Sequence, residues 1–414
     1  MWNHKKIRWF FCFAAILFGV LFTNLSGDVL LGQEWRKAVK RSTIAHPYDA
    51  SVSVVAVGDV MLASWLTPIL EHEGPLYPFL KTFQHFKSSD VAIANLEAPF
   101  ILEAAPFKKK FNFKVPLHLA SGLRDAGISV VNLANNHIMD YGETGLQSTI
   151  RTLEQVGVKH CGAGRNLARA GRPAIVEVSG RKIAFLGYSM TFPTEFYAST
   201  DSAGTAYPEP EFMTSTIAAL EDSVAFTVVS FHWSAEKLDT PKDYQIYFAH
   251  LAIDAGADLV LGHHPHVLQG LELYKNRLIA YSLGNFAFGS YSSEAVDSII
   301  LRAYLSEDGL FYAQCVPINV DNREVEFQPT ELFGQRRLEV VHKLQKLSAN
   351  LNEGRNIISD SGLLLGNWGT FYEDYLRDTV MASYWQMFDY YHLLENATPA
   401  DTVKTADTDS QLTH

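Results

Sequence analysis

The sequence predicts an α/β domain rich in parallel pairing over about residues 51–291. Short, mainly apolar runs recur at 52–57, 91–94, 130–133, 183–187, 226–231, 259–261 and 278–281, the texture of strands buried on both faces. Helical patterns fall between several of them. Leu146, Ile150 and Leu153 within 145–156, and Tyr247, Phe248, Leu251 and Ala255 within 244–255, recur close to a 3.6-residue period. Strands alternating with helices imply a sheet with much parallel pairing.

Composition permits such a core. Of 414 residues, 47% are hydrophobic and 19% charged, which excludes wholesale disorder. A formal net charge of -11 repels polyanions at long range and argues against a general nucleic-acid binder. Cys12, Cys161 and Cys315 are too few and too scattered for a disulfide framework or a cysteine zinc site. Any metal must therefore be held by His, Asp, Glu or Asn. Whether Cys161 and Cys315 pair or stay buried and inert is left open.

Ahead of the domain, Lys5, Lys6 and Arg8 flank an apolar run at 9–22, and polar Thr23, Asn24, Ser26 and Asp28 come after it. Positive flank, apolar stretch and polar exit are the order of a secretory signal. The run falls short of the roughly 20 residues of a bilayer span. Residues 1–28 thus read as a signal anchor or a signal peptide, and the lack of a clean small-x-small cleavage site after Phe22 favours the anchor. The positive flank stays cytoplasmic, so the expected location is the cell membrane with the body outside, or secretion if the signal is cleaved. Residues 29–50 read as a linker.

From 292 the alternation opens out, and 298–305, 310–316 and 324–327 read as antiparallel strands. Leu338, Val341, Leu344, Leu347 and Leu351 mark a helix, and 371–394 a second, strongly aromatic one. Glu373, Asp374, Asp378 and Asp389 match an anionic lipid surface poorly, so packing against the body is the simpler role for it. Residues 292–395 are thus expected as a smaller C-terminal appendage of strands and helices. Residues 396–414, rich in Thr, Asp and Ala, are expected as a disordered tail.

The chemistry is carried by the polar residues just past the buried runs: Asp59, Glu97, Asn135-Asn136-His137, His232, and His263-His264-Pro265-His266. Open α/β sheets build their sites just past the carboxyl ends of their strands. Singly, each residue has an ordinary role as a turn former, helix cap or core histidine. Their convergence after one apolar run after another does not. Carboxylates, an Asn carbonyl and imidazoles together suit a divalent metal of the Mn, Zn or Fe type, one ion or two, and hydrolysis is the reaction class such a centre serves.

Six motifs, in order, carry a resemblance: Gly58-Asp59-Val60-Met61-Leu62; Asn95-Leu96-Glu97; Asn132 to His137 with Asp140-Tyr141-Gly142; His232-Trp233 with Glu236; Gly256-Ala257-Asp258 leading to Gly262-His263-His264-Pro265-His266-Val267; and Tyr281-Ser282-Leu283-Gly284-Asn285-Phe286. The chain resembles the capsule-synthesis CapA family, associated with poly-γ-glutamate and related to the calcineurin-like metallophosphoesterases. The resemblance implies a metallophosphoesterase-like layered αββα sandwich. It also implies that Asp59 and His266 bind a first metal, that Asn136, His232 and His264 bind a second, and that Glu97 bridges them. His137 would be the acid that protonates a leaving group or steadies a charged oxygen. The pattern departs in two places: Met61 stands where the related phosphoesterases carry His, and Glu97 where they carry Asp.

Between these motifs, Lys108, Lys109, Lys110 and Lys114 lie among Phe107, Phe111 and Phe113. They read either as a guide for an anionic polymer, together with Asn285, or as a solvated loop. The function expected is that of an exported, membrane-anchored protein acting on poly-γ-glutamate or a similar polymer, within reach of a membrane synthesis or export complex. A non-catalytic assembly subunit and a general extracytoplasmic phosphoesterase are the alternatives.

Overall fold

The computed structural model describes residues 51–365. The N-terminal apolar segment, the linker at 29–50, the aromatic helix expected at 371–394 and the tail lie outside these. Among the described residues, no helix is long and apolar enough to cross a membrane.

In chain order the elements are β1 (Val52–Met61), α1 (Thr67–Glu73), α2 (Phe83–Lys87), β2 (Val91–Leu96), α3 (Ser121–Ala126), β3 (Val130–Asn132), α4 (Gly142–Val156), β4 (Lys159–Cys161), β5 (Ala163–Gly164), α5 (Leu167–Ala170), β6 (Ala174–Val178), β7 (Arg181–Ser189), β8 (Gly204–Thr205) and α6 (Pro210–Ala218). Next come β9 (Phe226–His232), α7 (Asp243–Asp254), β10 (Leu259–His263), β11 (Leu271–Tyr274), β12 (Arg277–Ala280), β13 (Asn285–Phe288), β14 (Asp297–Ser306), β15 (Gly309–Asn319), α8 (Asn322–Val325), β16 (Thr330–Glu331), α9 (Gly334–Ala349) and β17 (Leu363–Leu365).

Two sheets stack face to face. A nine-stranded sheet runs β16-β15-β14-β1-β2-β3-β4, with β13 also on β1 and β17 on β15, and a six-stranded sheet runs β11-β12-β10-β9-β7-β6. Side chains alternate across each strand, because successive residues point to opposite faces. Val52, Val54 and Ala56 of β1 meet Phe226 and Val228 of β9 in the core between the sheets. Val55 and Val57 point the other way, onto Leu123 of α3 and Leu146 and Leu153 of α4. On the far side, Val229 and Phe231 pack on Met213 and Ile217 of α6 and Ala249 and Ala252 of α7. Helix, sheet, sheet, helix is the αββα layering expected, and every apolar run read as a strand in 52–281 forms one.

The C-terminal strands belong to the same body. β14 pairs antiparallel with the first half of β1, from Val52↔Leu305 to Ala56↔Leu301, while β13 runs parallel beside its second half, Asp59↔Asn285 and Met61↔Phe288. Residues 324–327, expected as a strand, instead enter α8. Asp321 caps that helix by accepting from Arg323 N–H, and Glu326 and Phe327 leave it with φ of +52° and +65°. Four residues of apolar alternation do not distinguish a strand from one helical turn, and the cap decides. Cys161 and Cys315 are free and buried in the inter-sheet core.

β13 approaches β1 closely because residue 58 is glycine. A Cβ there would lie 1.8 Å from the Gly284 carbonyl oxygen, and the next residue, Asp59, donates its N–H to that same oxygen at 3.1 Å. Gly58→Ala is expected to lower stability by roughly 3 kcal/mol or more, since backbone on both sides must move. Chemical denaturation checks this, and a loss under about 1 kcal/mol would contradict the packing.

Candidate metal centre

The two sheets deliver their carboxyl ends to one place. In the larger sheet, β1, β2 and β3 run parallel, and in the smaller, β9 and β10 do so with His232 opposite His263. Asp59 sits near the end of β1, past an irregularity in register between Ala56 and Asp59. Glu97 comes directly after β2, the 135–137 loop after β3, His232 ends β9, His263 ends β10, and His264 and His266 lie just beyond it. Gly262 brings β10 in, since a Cβ there would meet the Tyr281 carbonyl oxygen at 1.9 Å.

Two groups of potential ligand atoms result. Asp59, Glu97 and His266 offer one set, and Glu97, His232 and His264 another, the atoms of each lying within 4.8 Å of one another. Glu97 belongs to both, as expected of a bridging carboxylate. Asn136 joins the second, its Oδ1 lying 2.8 Å from His232 Nε2. His266 Nδ1 is 3.1 Å from Asp59 Oδ2 and 2.9 Å from Asn285 Oδ1. Asn285, expected from sequence as a substrate contact, thus holds a histidine in place.

The donors fit a cation. Glu97 is 1% exposed, and neither of its carboxylate oxygens has a hydrogen-bond partner. His232 Nε2 stands 3.8 Å from its Oε1, too far for a hydrogen bond. His264 Nδ1 is buried and without a partner as well. A buried carboxylate without hydrogen bonds is strongly unfavourable as the anion, and a divalent ion would supply the compensating charge. Oxygen and imidazole donors suit Mn, Zn or Fe. His264 and His266 also hold φ of +95° and +62°, conformations that cost about 1–3 kcal/mol each and persist where the surroundings impose them.

Electrostatics divide the two groups. Burial pushes the Asp59 carboxyl up, but the His263 and His266 imidazoles beside it outweigh this and hold it well below its ordinary value. Glu97 is pushed well above its own, by burial and then by the Asp59 charge. Burial works against protonation of His266, yet the Glu97 charge and Asp59 overcome it and raise it to about 9. His264 is lowered to about 3 by burial and the His266 charge, and His232 falls well below its ordinary value through burial and His264. The histidines of the second group are therefore neutral at pH 7, whereas His266 carries a proton.

Beside the two groups lies an imidazole–carboxylate pair. His137 Nδ1 is 2.9 Å from Asp140 Oδ2. Lys109 Nζ ion-pairs with Asp140 Oδ1 at 2.5 Å and donates to the Asn136 carbonyl at 2.6 Å. Lys109 Nζ also approaches His137 Nδ1 at 3.2 Å, but the nearer carboxylate claims the ring N–H, leaving Nε2 for exchange. Burial lowers the His137 pKa against the pull of Asp140. The other lysines stand apart from this pair: Lys114 Nζ donates to the Leu102 carbonyl at 3.0 Å, Lys110 Nζ lies over the Phe111 ring, and Lys108 is exposed.

Neighbouring residues that the sequence reading did not assign as ligands complete the arrangement. Asn95 Nδ2 donates to Asp59 Oδ1 at 2.8 Å, and Asn132 and Asn135 donate to Asn95 Oδ1 at 3.2 and 3.3 Å. Asn135 Oδ1 accepts from the His137 and Ile138 N–H groups. This amide chain fixes Asp59 from behind. The signal was present, since asparagines stand at the ends of two buried strands where apolar residues would otherwise pack. Met61 is fully buried in the helix-side core and supplies nothing to the site. His263 reaches Asp59 at 3.4 Å but belongs to neither donor group.

The profile of the family described as "Bacterial capsule synthesis protein PGA_cap" matches residues 53–290. The capsule biosynthesis protein CapA of Bacillus anthracis is 30% identical over 301 residues, covering 70% of this chain and 73% of that protein. The PGA biosynthesis protein CapA of Bacillus subtilis (strain 168) is 29% identical over 315 residues, covering 75% and 82%. Among solved structures, a calcineurin-like phosphoesterase from Bacillus subtilis is similar at 14% identity and a TM-score of 0.36, covering 62% of this chain and 86% of that one. With more than half its length matched by that profile, the chain belongs to the bacterial capsule synthesis protein family of CapA.

Proposed function

We propose that this chain is an exported, membrane-anchored protein acting in the synthesis, release or anchoring of poly-γ-glutamate or a similar anionic capsule polymer, through a divalent-metal hydrolase-type site. The observation that carries the reading is Glu97, buried, without hydrogen-bond partners and common to two groups of ligand atoms. Asp59, Glu97 and His266 would hold one ion, and Glu97, Asn136, His232 and His264 a second. When bound, a divalent ion there polarises a carbonyl or phosphoryl oxygen and acidifies water. His137, its Nδ1–H held by Asp140, moves a proton at Nε2. Lys109 fixes Asp140 and the Asn136 carbonyl, so the histidine and the asparagine keep one relative placement. The N-terminal apolar segment supplies the anchor, and with it a place in a membrane synthesis or export complex.

Metal content of the purified full chain, with turnover of γ-glutamyl amides and phosphate esters, tests this. Bound divalent metal is expected, as is loss of polymer output on Asp59→Ala, Glu97→Ala and His266→Ala. A metal-free protein whose variants leave output intact would sink the reading. His137→Ala is expected to lower turnover by roughly 10²–10⁴-fold with metal content unchanged. A fall in metal content instead would make His137 a structural support of the ligands.

A further inference from the structure

A second basic feature lies away from the metal centre. A cavity of about 740 Å³ opens where the edge strand β4 of the larger sheet, the edge strand β6 of the smaller one, and α4 come together. Arg165, Arg169, Arg172 and Lys159 line it, against one carboxylate, Glu154. All four cationic residues are exposed, and among the described residues none of their side chains has an ion-pair partner. His160 also lines the cavity, with its Nδ1 buried and lacking a hydrogen-bond partner. Cations in a concave site of a chain with net charge -11 are a local reversal of field, and such concave patches concentrate anions. Guanidinium forks match carboxylates bidentately.

The arginines are spaced along one segment rather than gathered around one point, and the cavity exceeds what a single small anion fills. That arrangement suits several carboxylates in a row. The cavity is also tied to the metal centre by backbone. Leu133 N–H donates to the Cys161 carbonyl at 2.9 Å, and Leu133 leads directly into the loop bearing Asn136 and His137. β4 lies three strands from β1 in the sheet, about 14 Å at ~4.8 Å per strand. A γ-linked glutamate has two more main-chain carbons per residue than an α-linked one, so an extended strand of roughly two to three residues at ~6 Å each covers that interval.

We propose that this cavity is a second binding site for an anionic polymer, in which Arg165, Arg169 and Arg172 recognise successive carboxylates of a poly-γ-glutamate-type strand whose other end reaches the metal centre. The proposal rests on the function proposed above and deepens it. The test is titration of the full chain, treated with chelator, with a γ-linked glutamate oligomer of defined length, comparing wild type with the triple variant Arg165→Gln, Arg169→Gln, Arg172→Gln. The triple variant is expected to bind at least about tenfold more weakly and with a shallower salt dependence, at unchanged metal uptake and melting temperature. Glu154→Gln is expected to act in the opposite direction, tightening binding about threefold, which loss of folding does not mimic. Equal binding by wild type and triple variant overturns the cavity's role while leaving the metal-centre reading intact. Displacement of the oligomer by inorganic phosphate at equal charge concentration overturns the polymer assignment in favour of a phosphate site. No oligomer binding by wild type, together with no turnover of γ-glutamyl amides, overturns both.

Discussion

Glu97→Gln is expected to abolish metal loading at both donor groups and to flatten the pH dependence of the metal-free protein's stability. The first effect follows from Glu97 being common to the two sets. The second follows from linkage. The folded-state pKa of Glu97 is raised well above its ordinary 4.5, so between those values the folded chain holds a proton that the unfolded chain releases. Stability is then lost as pH rises from about 4.5 through the folded value, at up to ~1.4 kcal/mol per pH unit for one proton. His266 acts in the same direction, because its folded-state value is raised from 6.5 to about 9, in part by the Glu97 charge. Glutamine removes the first contribution and weakens the second. The buried amide adds a penalty of roughly 1–3 kcal/mol, but one that does not vary with pH. Urea denaturation of chelator-treated proteins from pH 5 to 9 should show the wild type losing stability relative to the variant as pH rises. Parallel curves, or a variant that still binds a full complement of metal, would rule this out.

The fold was legible because its central strands are apolar on both faces. β1, β2, β9 and β10 are buried at every position, and no solvent-facing alternation confuses them with helices. β4 was not legible. Its three residues, Lys159, His160 and Cys161, go from exposed to buried, and it is a strand only because the backbone of β3 accepts it. The clustering of the candidate ligands was legible for the same reason as the strands, since a polar residue ending an apolar run announces a carboxyl edge. What sequence left ambiguous was Lys109 among its neighbouring lysines. Its capture by Asp140 depends on the path of the loop, where Phe107 N–H donates to the Asp140 carbonyl at 2.7 Å, and no local pattern encodes that. The arginine cavity was not legible either, because its walls come from the edges of two different sheets.

Metal uptake is expected to release protons and to strengthen steeply from pH 6 to about 9. A ligand imidazole must be neutral and a ligand carboxylate ionised. In the second group, His232 and His264 are already neutral at pH 6, since burial pushes both down, His264 to about 3. Glu97, whose carboxyl burial and the Asp59 charge push well above its ordinary value, is the ligand of that group whose ionisation would release a proton. In the first group, Asp59 is ionised throughout, but His266 holds its proton up to about pH 9. Loading that group therefore expels a further proton, and each proton released makes the apparent affinity rise about tenfold per pH unit. The group containing His264 should fill at lower pH and the one containing His266 at higher pH. Calorimetry at pH 7 in buffers of different protonation enthalpy reads the proton count directly. His266→Ala should remove the high-pH step and leave the other. Proton-neutral binding, or an affinity level between pH 6 and 9, would mean that His266 is neutral in the metal-free protein and that the Glu97 charge does not reach it as the geometry requires.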